Sequence, residues 1–250
     1  MQSPQPPAPC VGPPSPSKSG SPASSPILTL WLLVGLGVIA AAWAGVPADY
    51  RGTPFADAVH KSGPPTIPGL VQCALYDQGG EGVAYHDTDA LNNGSGKLNR
   101  ESGHQRAHAS EYVWHFRESE GVDLSFVKDW ADLNHTNLVS PPLNQFYIGW
   151  TENGEWCNYT VDILRAGTYR IRCLYAFQTN TVTFDLNGKP AATCRLPVPT
   201  PSYHHWNLAD IGTIEFPETG RQLLTFHYGK GNNFAWFEFE PIIMQTLRTP

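Results

Sequence analysis

Charge is scarce in this chain. Asp, Glu, Lys and Arg make up only 15% of its 250 residues, and the basic side chains are the minority, 16 against 22 acidic. Such a composition excludes a coiled coil or a charged disordered tail as the main body and speaks against an all-helical bundle. A formal charge of -6 lacks the electrostatic footprint of a phosphate-backbone binder, so nucleic acid is not an expected partner. Helical periodicity is missing too, since no apolar pattern of that period runs for a useful length outside residues 27–44. Of the five cysteines, none stands in the Cys-x2-Cys spacing of a zinc site. Cys10 lies near the N-terminus, leaving Cys73, Cys157, Cys173 and Cys194, for which a disulfide or two and isolated buried thiols are both open. There is no Gly-x-Ser-x-Gly, nucleotide-binding loop or His-Glu-x-x-His.

The chain is instead rich in turn formers and rings, with 23 Gly, 23 Pro, 8 Trp, 10 Tyr and 11 Phe. Residues 1–26 hold nine Pro and seven Ser with the single charge of Lys18, too little apolar surface to offset the entropy of folding, and are expected to be a disordered tail. Residues 27–44 (ILTLWLLVGLGVIAAAWA) are uncharged and would span about 27 Å as a helix. They end in Ala42-Trp43-Ala44, the small-x-small pattern of a signal-peptidase site, and are read as a signal-peptide core or a membrane anchor. The rest of the chain is accordingly expected outside the cytoplasm, either secreted, periplasmic or at the cell surface, touching a membrane only through this segment. Residues 45–64, rich in Pro and Gly, read as a linker or wrapping segment, and residues 65–245 as one domain.

Within that domain, residues 155–164, 167–177, 181–186, 222–228 and 233–242 are β-branched and aromatic runs bounded by turn residues. Asn187-Gly188 is a strong hairpin signal. Short strands at roughly ten-residue spacing predict an all-β fold, an antiparallel β-sandwich of the jelly-roll type. The less regular stretch 92–144 is expected in loops at one end of the sandwich. Aromatic rings in turn contexts, Trp150 and Tyr203, suit the apolar faces of sugar rings, with neighbouring polar side chains to bond the hydroxyls.

Several segments carry a resemblance. Ile67-Pro68-Gly69 leads to Val71-Gln72-Cys73-Ala74-Leu75-Tyr76-Asp77, followed by Gly79-Gly80-Glu81-Gly82-Val83-Ala84-Tyr85-His86-Asp87 and Asn92. Farther on stand Phe116-Arg117-Glu118, Gly121-Val122-Asp123-Leu124, Ile148-Gly149-Trp150-Thr151, Gly154-Glu155-Trp156, Ala166-Gly167-Thr168-Tyr169, Tyr203-His204-His205-Trp206 and Asn233-Phe234-Ala235-Trp236. In this order and spacing, over about residues 65–243, the chain resembles carbohydrate-binding module family 6 and its family 35 relatives. The resemblance implies a galactose-binding-like jelly roll that binds polysaccharide or oligosaccharide without cutting it. Carried over residue by residue, it implies a loop cleft in which Trp150 and Tyr203 flank a sugar ring and Asn233 bonds it, with Trp206 in the core. Pro201 stands where the family has Gly, and Tyr203 where it usually has Trp.

The family's structural calcium implies a Glu at the position of Ala74. Its absence leaves Gln72, Glu238 and Glu240 as the residues that could compensate, and no cofactor is expected to be required. His86-Asp87-Thr88-Asp89 reads as a turn whose side chains satisfy backbone donors. Glu81, Asp87, Glu152 and Glu155 form no recognisable glycosidase pair. An enzyme using loop carboxylates, a small lyase or hydrolase, is the alternative reading, and a surface adhesion module a third.

Overall fold

A computed structural model describes residues 45–61, 63–101 and 109–243. The readings of residues 1–26 as a tail and 27–44 as an export segment lie outside them, and among the described residues no helix is long and apolar enough to cross a membrane.

Among the described residues, twelve strands form two sheets. In chain order they are β1 (Thr66–Ile67), β2 (Gly69–Gln72), β3 (Tyr85–His86), β4 (Leu124–Phe126), β5 (Phe146–Ile148), β6 (Trp156–Ile163), β7 (Gly167–Phe177), β8 (Thr181–Leu186), β9 (Lys189–Arg195), β10 (Trp206–Phe216), β11 (Gly220–His227) and β12 (Asn232–Pro241). The first sheet runs β1-β6-β11-β8-β9, with β3 also on β6. The second runs β10-β7-β12-β5-β4, with β2 also on β12. Apart from the short β1–β6 pair, which is parallel, every pairing is antiparallel. The all-β sandwich expected from the sequence is the fold observed.

Alternation along the strands explains how the sheets stack, because successive side chains point to opposite faces. Cys157, Tyr159, Val161 and Ile163 of β6 face Tyr169, Ile171, Cys173 and Tyr175 of β7 across one core, with Phe184, Phe226, Phe237 and Phe239 between them. Rings meet edge to face there, as Phe226 and Phe237 do at 4.5 Å, the arrangement their quadrupoles favour. All four cysteines of the domain are buried free thiols, Cys73, Cys157 and Cys173 in that core with burial pushing each thiol up, and Cys194 raised to about 11.

Asn187-Gly188 closes the β8–β9 hairpin, both residues at positive φ (52° and 73°) as a type I′ turn requires. The turns after β6 and β11 do different work: they pass the chain from one sheet to the other, which turn chemistry alone does not distinguish from a hairpin. β9 and β10 went unread in the sequence because their faces alternate weakly, with Lys189, Pro190 and Thr193 on one and Asp210 and Glu215 on the other.

Residues 45–61 wrap the domain. Thr53 pairs with Gln78 in an isolated bridge, and the Tyr50 hydroxyl donates to the buried Asp77 carboxylate at 2.7 Å. Residues 92–144 contribute β4 as well as short helical turns, and part of the stretch lies over the second sheet and not only at its end. Val127, Leu133 and Val139 join Tyr147, Leu174, Ala176, Trp206 and Ala235 in a second apolar cluster, distinct from the main core.

Candidate functional site

The second cluster carries the site. Its fully buried Trp206 packs edge to face on Tyr147 at 5.2 Å, and its indole Nε1 donates to Asp132 Oδ1 at 2.9 Å. Above this floor lies a cleft of about 290 Å³ lined by Tyr147, Trp150, Tyr203, His204 and Asn233. Trp150, Tyr203 and Asn233 are therefore brought together from three segments remote in sequence, while Trp206 is core, as the motif comparison implied.

Each element has a local reason. Trp150 follows β5 with φ at 48°, a left-handed conformation uncommon for a bulky residue, and its ring stays 40% exposed. Such backbone costs about 1–3 kcal/mol and persists only where its surroundings over-determine it. Gly94 supplies one of those surroundings: a Cβ there would sit 1.9 Å from the Leu124 carbonyl oxygen and 3.1 Å from the Trp150 ring. Gly149 supplies another, since its Cβ would lie 2.8 Å from Asn233 Oδ1. On the opposite wall the Tyr203 ring, 41% exposed, leans on Phe177 at 4.3 Å, and Phe177 is itself at φ 87°.

Asn233 does more than its expected role requires. It is 4% exposed, and its Nδ2 donates to the Tyr203 carbonyl at 2.7 Å, so the amide tethers the Tyr203 loop to β12 and leaves Oδ1 as its remaining acceptor. His204 was absent from the sequence reading of the cleft. Its Nδ1 lies 3.0 Å from Asp132 Oδ1, a fully buried carboxylate whose Oδ2 accepts from the Lys128 backbone at 2.8 Å. Only the pairing of adjacent histidines with an aspartate seventy residues earlier could have signalled it. Lys128, whose ammonium donates to Ser125 Oγ and the Phe126 carbonyl, is held down to about 8 by burial.

Gln72, Glu238 and Glu240 share one face of the second sheet but not one site. Gln72 Oε1 accepts from Gln145 at 2.6 Å, Glu238 pairs with Arg172 at 2.8 Å, and Glu240 pairs with Arg170 and Arg172. Glu240 is held below the usual carboxylate range chiefly by its Arg170 hydrogen bond. Guanidinium groups already occupy both carboxylates, so the chemistry of this set does not fit a hard cation. Among the described residues no group of three or more His, Cys, Asp or Glu is arranged to hold a metal.

The carboxylates weighed for catalysis serve the loops. Glu155 accepts from Thr88 Oγ1 and the Glu152 backbone, Glu81 from His86 and the Asp87 backbone, and Glu152 pairs with Lys230. Asp87 accepts from the Asp89 backbone and Asp89 from that of Leu91, the turn expected at His86-Asp87-Thr88-Asp89. Asp87 and Asp123 are each raised to about 7, first by burial and then by neighbouring carboxylates. Another cleft, of about 400 Å³, is lined by Phe55, His60, Pro65, Leu70 and Gln72, with the Arg117 guanidinium over the Phe55 ring at 4.7 Å.

No curated protein matches the chain significantly. Among solved structures it is similar to the family 6 module CsCBM6-3 of Clostridium stercorarium, crystallised with cellobiose, at 15% identity and a TM-score of 0.42, over 73% of this chain and 100% of that one. It is also similar to the module CBM6cm-2 of Cellvibrio mixtus lichenase 5A, in complex with cellotriose, at 22% identity and a TM-score of 0.34, over 39% and 79%. A third is the C-terminal module of a laminarinase, LamC of Zobellia galactanivorans, at 18% identity and a TM-score of 0.34, over 47% and 99%. Residues 128–241, which hold Trp150, Tyr203, His204 and Asn233, match the family model for carbohydrate binding module (family 6), the family that the sequence motifs resemble.

Proposed function

We propose that this chain is an exported module that binds polysaccharide or oligosaccharide without cleaving it, in the cleft between Trp150 and Tyr203. The observation that carries the reading is the pairing of two rings, each about 40% exposed, across one cleft with a buried amide beneath them. Large aromatic faces cost free energy in water, and flat rings suit the C–H faces of a sugar while polar side chains take its hydroxyls. Export rests on residues 27–44, and the absence of catalysis on carboxylates that are engaged in holding loops. A reporter fused after Pro250 should be active only outside the cytoplasm.

Calorimetric titration with cellotriose, xylotriose, laminaritriose and mannotriose tests the binding. Trp150→Ala and Tyr203→Ala should each weaken the best of them about tenfold, the loss of roughly 1–1.5 kcal/mol of stacking. Affinities equal to the parent's in both variants would remove the cleft from consideration. Release of reducing ends from the parent polysaccharides, abolished by Glu155→Gln or Asp87→Asn, would establish the enzyme reading instead.

A further inference from the structure

The cleft presents more than two rings and an amide. We infer that His204 is a further binding residue, whose Nε2 accepts a hydrogen bond from a sugar hydroxyl, so that the cleft favours sugars with a free hydroxyl there. This rests on the cleft reading proposed above and deepens it.

The tautomer is fixed by chemistry. Asp132 is fully buried, so its carboxylate needs donors, and it draws them from Trp206 Nε1, the Lys128 backbone and His204 Nδ1. A proton held on Nδ1 leaves the lone pair of a neutral imidazole on Nε2. That atom has no hydrogen-bond partner among the described residues, and the His204 ring lines the cleft at the half-exposed position a binding group needs.

The ring is also held in place before any ligand arrives. The His204 backbone donates to Ser202 Oγ at 3.2 Å, the same hydroxyl meets His205 Nδ1 at 2.8 Å, and His205 stacks on His135 at 3.7 Å. Asn233 ties the preceding residue, Tyr203, to β12. A pre-organised acceptor loses little rotamer freedom on binding. One Asn233 Nδ2 hydrogen is taken by the Tyr203 carbonyl, and the acceptors Asn233 Oδ1 and His204 Nε2 offer two places for hydroxyl donors.

The ionisable groups around His204 are Asp132 at the end of the short helix Asp129–Asp132, His205 beside it in the chain with His135 stacked behind, Tyr203, Tyr147 from β5, and Lys128, whose ammonium lies 6.0 Å from the Tyr147 ring. Lys230 is engaged by Glu152 at 2.8 Å. Burial, then His135 and His204, hold His205 below the ordinary imidazole range.

The test is calorimetry at pH 7.5 with the tightest-binding trisaccharide of the four, on the parent, His204→Asn, His204→Gln and Trp150→Ala. Asn keeps a donor where Nδ1 stood and has nothing at Nε2. His204→Asn should bind about three- to tenfold more weakly with an unchanged melting temperature. His204→Gln, which returns an amide near Nε2, should bind close to the parent. Trp150→Ala losing affinity while His204→Asn matches the parent would overturn this inference and leave the cleft standing. Equal losses in His204→Asn and His204→Gln would overturn it as well. Indifference of the affinity to both Trp150→Ala and His204→Asn, or no binding of any of the four sugars, would overturn the cleft reading itself.

Discussion

Gly149→Ala isolates the join between the two walls of the cleft. Gly149 is not at positive φ, so alanine brings no backbone strain and should by itself stabilise by about 0.4–1 kcal/mol through the unfolded chain. What it brings is a methyl group 2.8 Å from Asn233 Oδ1 and 3.3 Å from Tyr147 Cε2. The ring edge has to give by a few tenths of an ångström, whereas the amide has to turn. Turning it breaks the 2.7 Å bond from Nδ2 to the Tyr203 carbonyl, in a place where a lost partner costs about 1–3 kcal/mol. The net effect is a destabilisation of about 1–2 kcal/mol, a fall in melting temperature of roughly 2–8 °C for a domain of this size. Affinity for oligosaccharide should fall with it, because the Tyr203 loop loses its tether. Asn233→Ala removes both the obstacle and the bond, so the two substitutions should not add: in the Asn233→Ala background the further change Gly149→Ala should cost almost nothing or stabilise slightly. Thermal unfolding of the four proteins reads the coupling directly. If Gly149→Ala costs as much without Asn233 as with it, the amide is not what the glycine makes room for.

The pH dependence of stability should carry the mark of Asp87 and Asp123. Both keep their protons to about pH 7 when folded but release them near 4 when unfolded, so the folded chain binds more protons between those values and stability falls as pH rises through that window. Asp87→Asn should raise the melting temperature more at pH 8 than at pH 4.5, and an equal effect at both would assign the penalty elsewhere. Trp206→Ala should behave oppositely to Trp150→Ala: it empties a fully buried site and strips Asp132 of a donor, destabilising by about 3–5 kcal/mol in denaturant titration, while Trp150→Ala leaves stability almost unchanged. Equal unfolding midpoints for the two would contradict the division between core and cleft.

Much was legible in the residues alone. Alternating apolar and aromatic runs disclosed β6, β7, β8, β11 and β12, because a half-buried strand must repeat every second residue, and Asn187-Gly188 disclosed a hairpin because few other pairs tolerate two positive φ angles. The order of short motifs disclosed which rings to place together. Pairing between strands far apart in sequence was not legible, and weak alternation hid β9 and β10. Nor could any local pattern tell that residues 127–139 build a second apolar floor over a sheet, that Glu238 and Glu240 meet arginines on a neighbouring strand, or that Asp132 reaches His204. Those are contacts across 66 to 72 residues. Sequence periodicity reports which face of its own strand a side chain takes, and only the folded chain decides what stands opposite it.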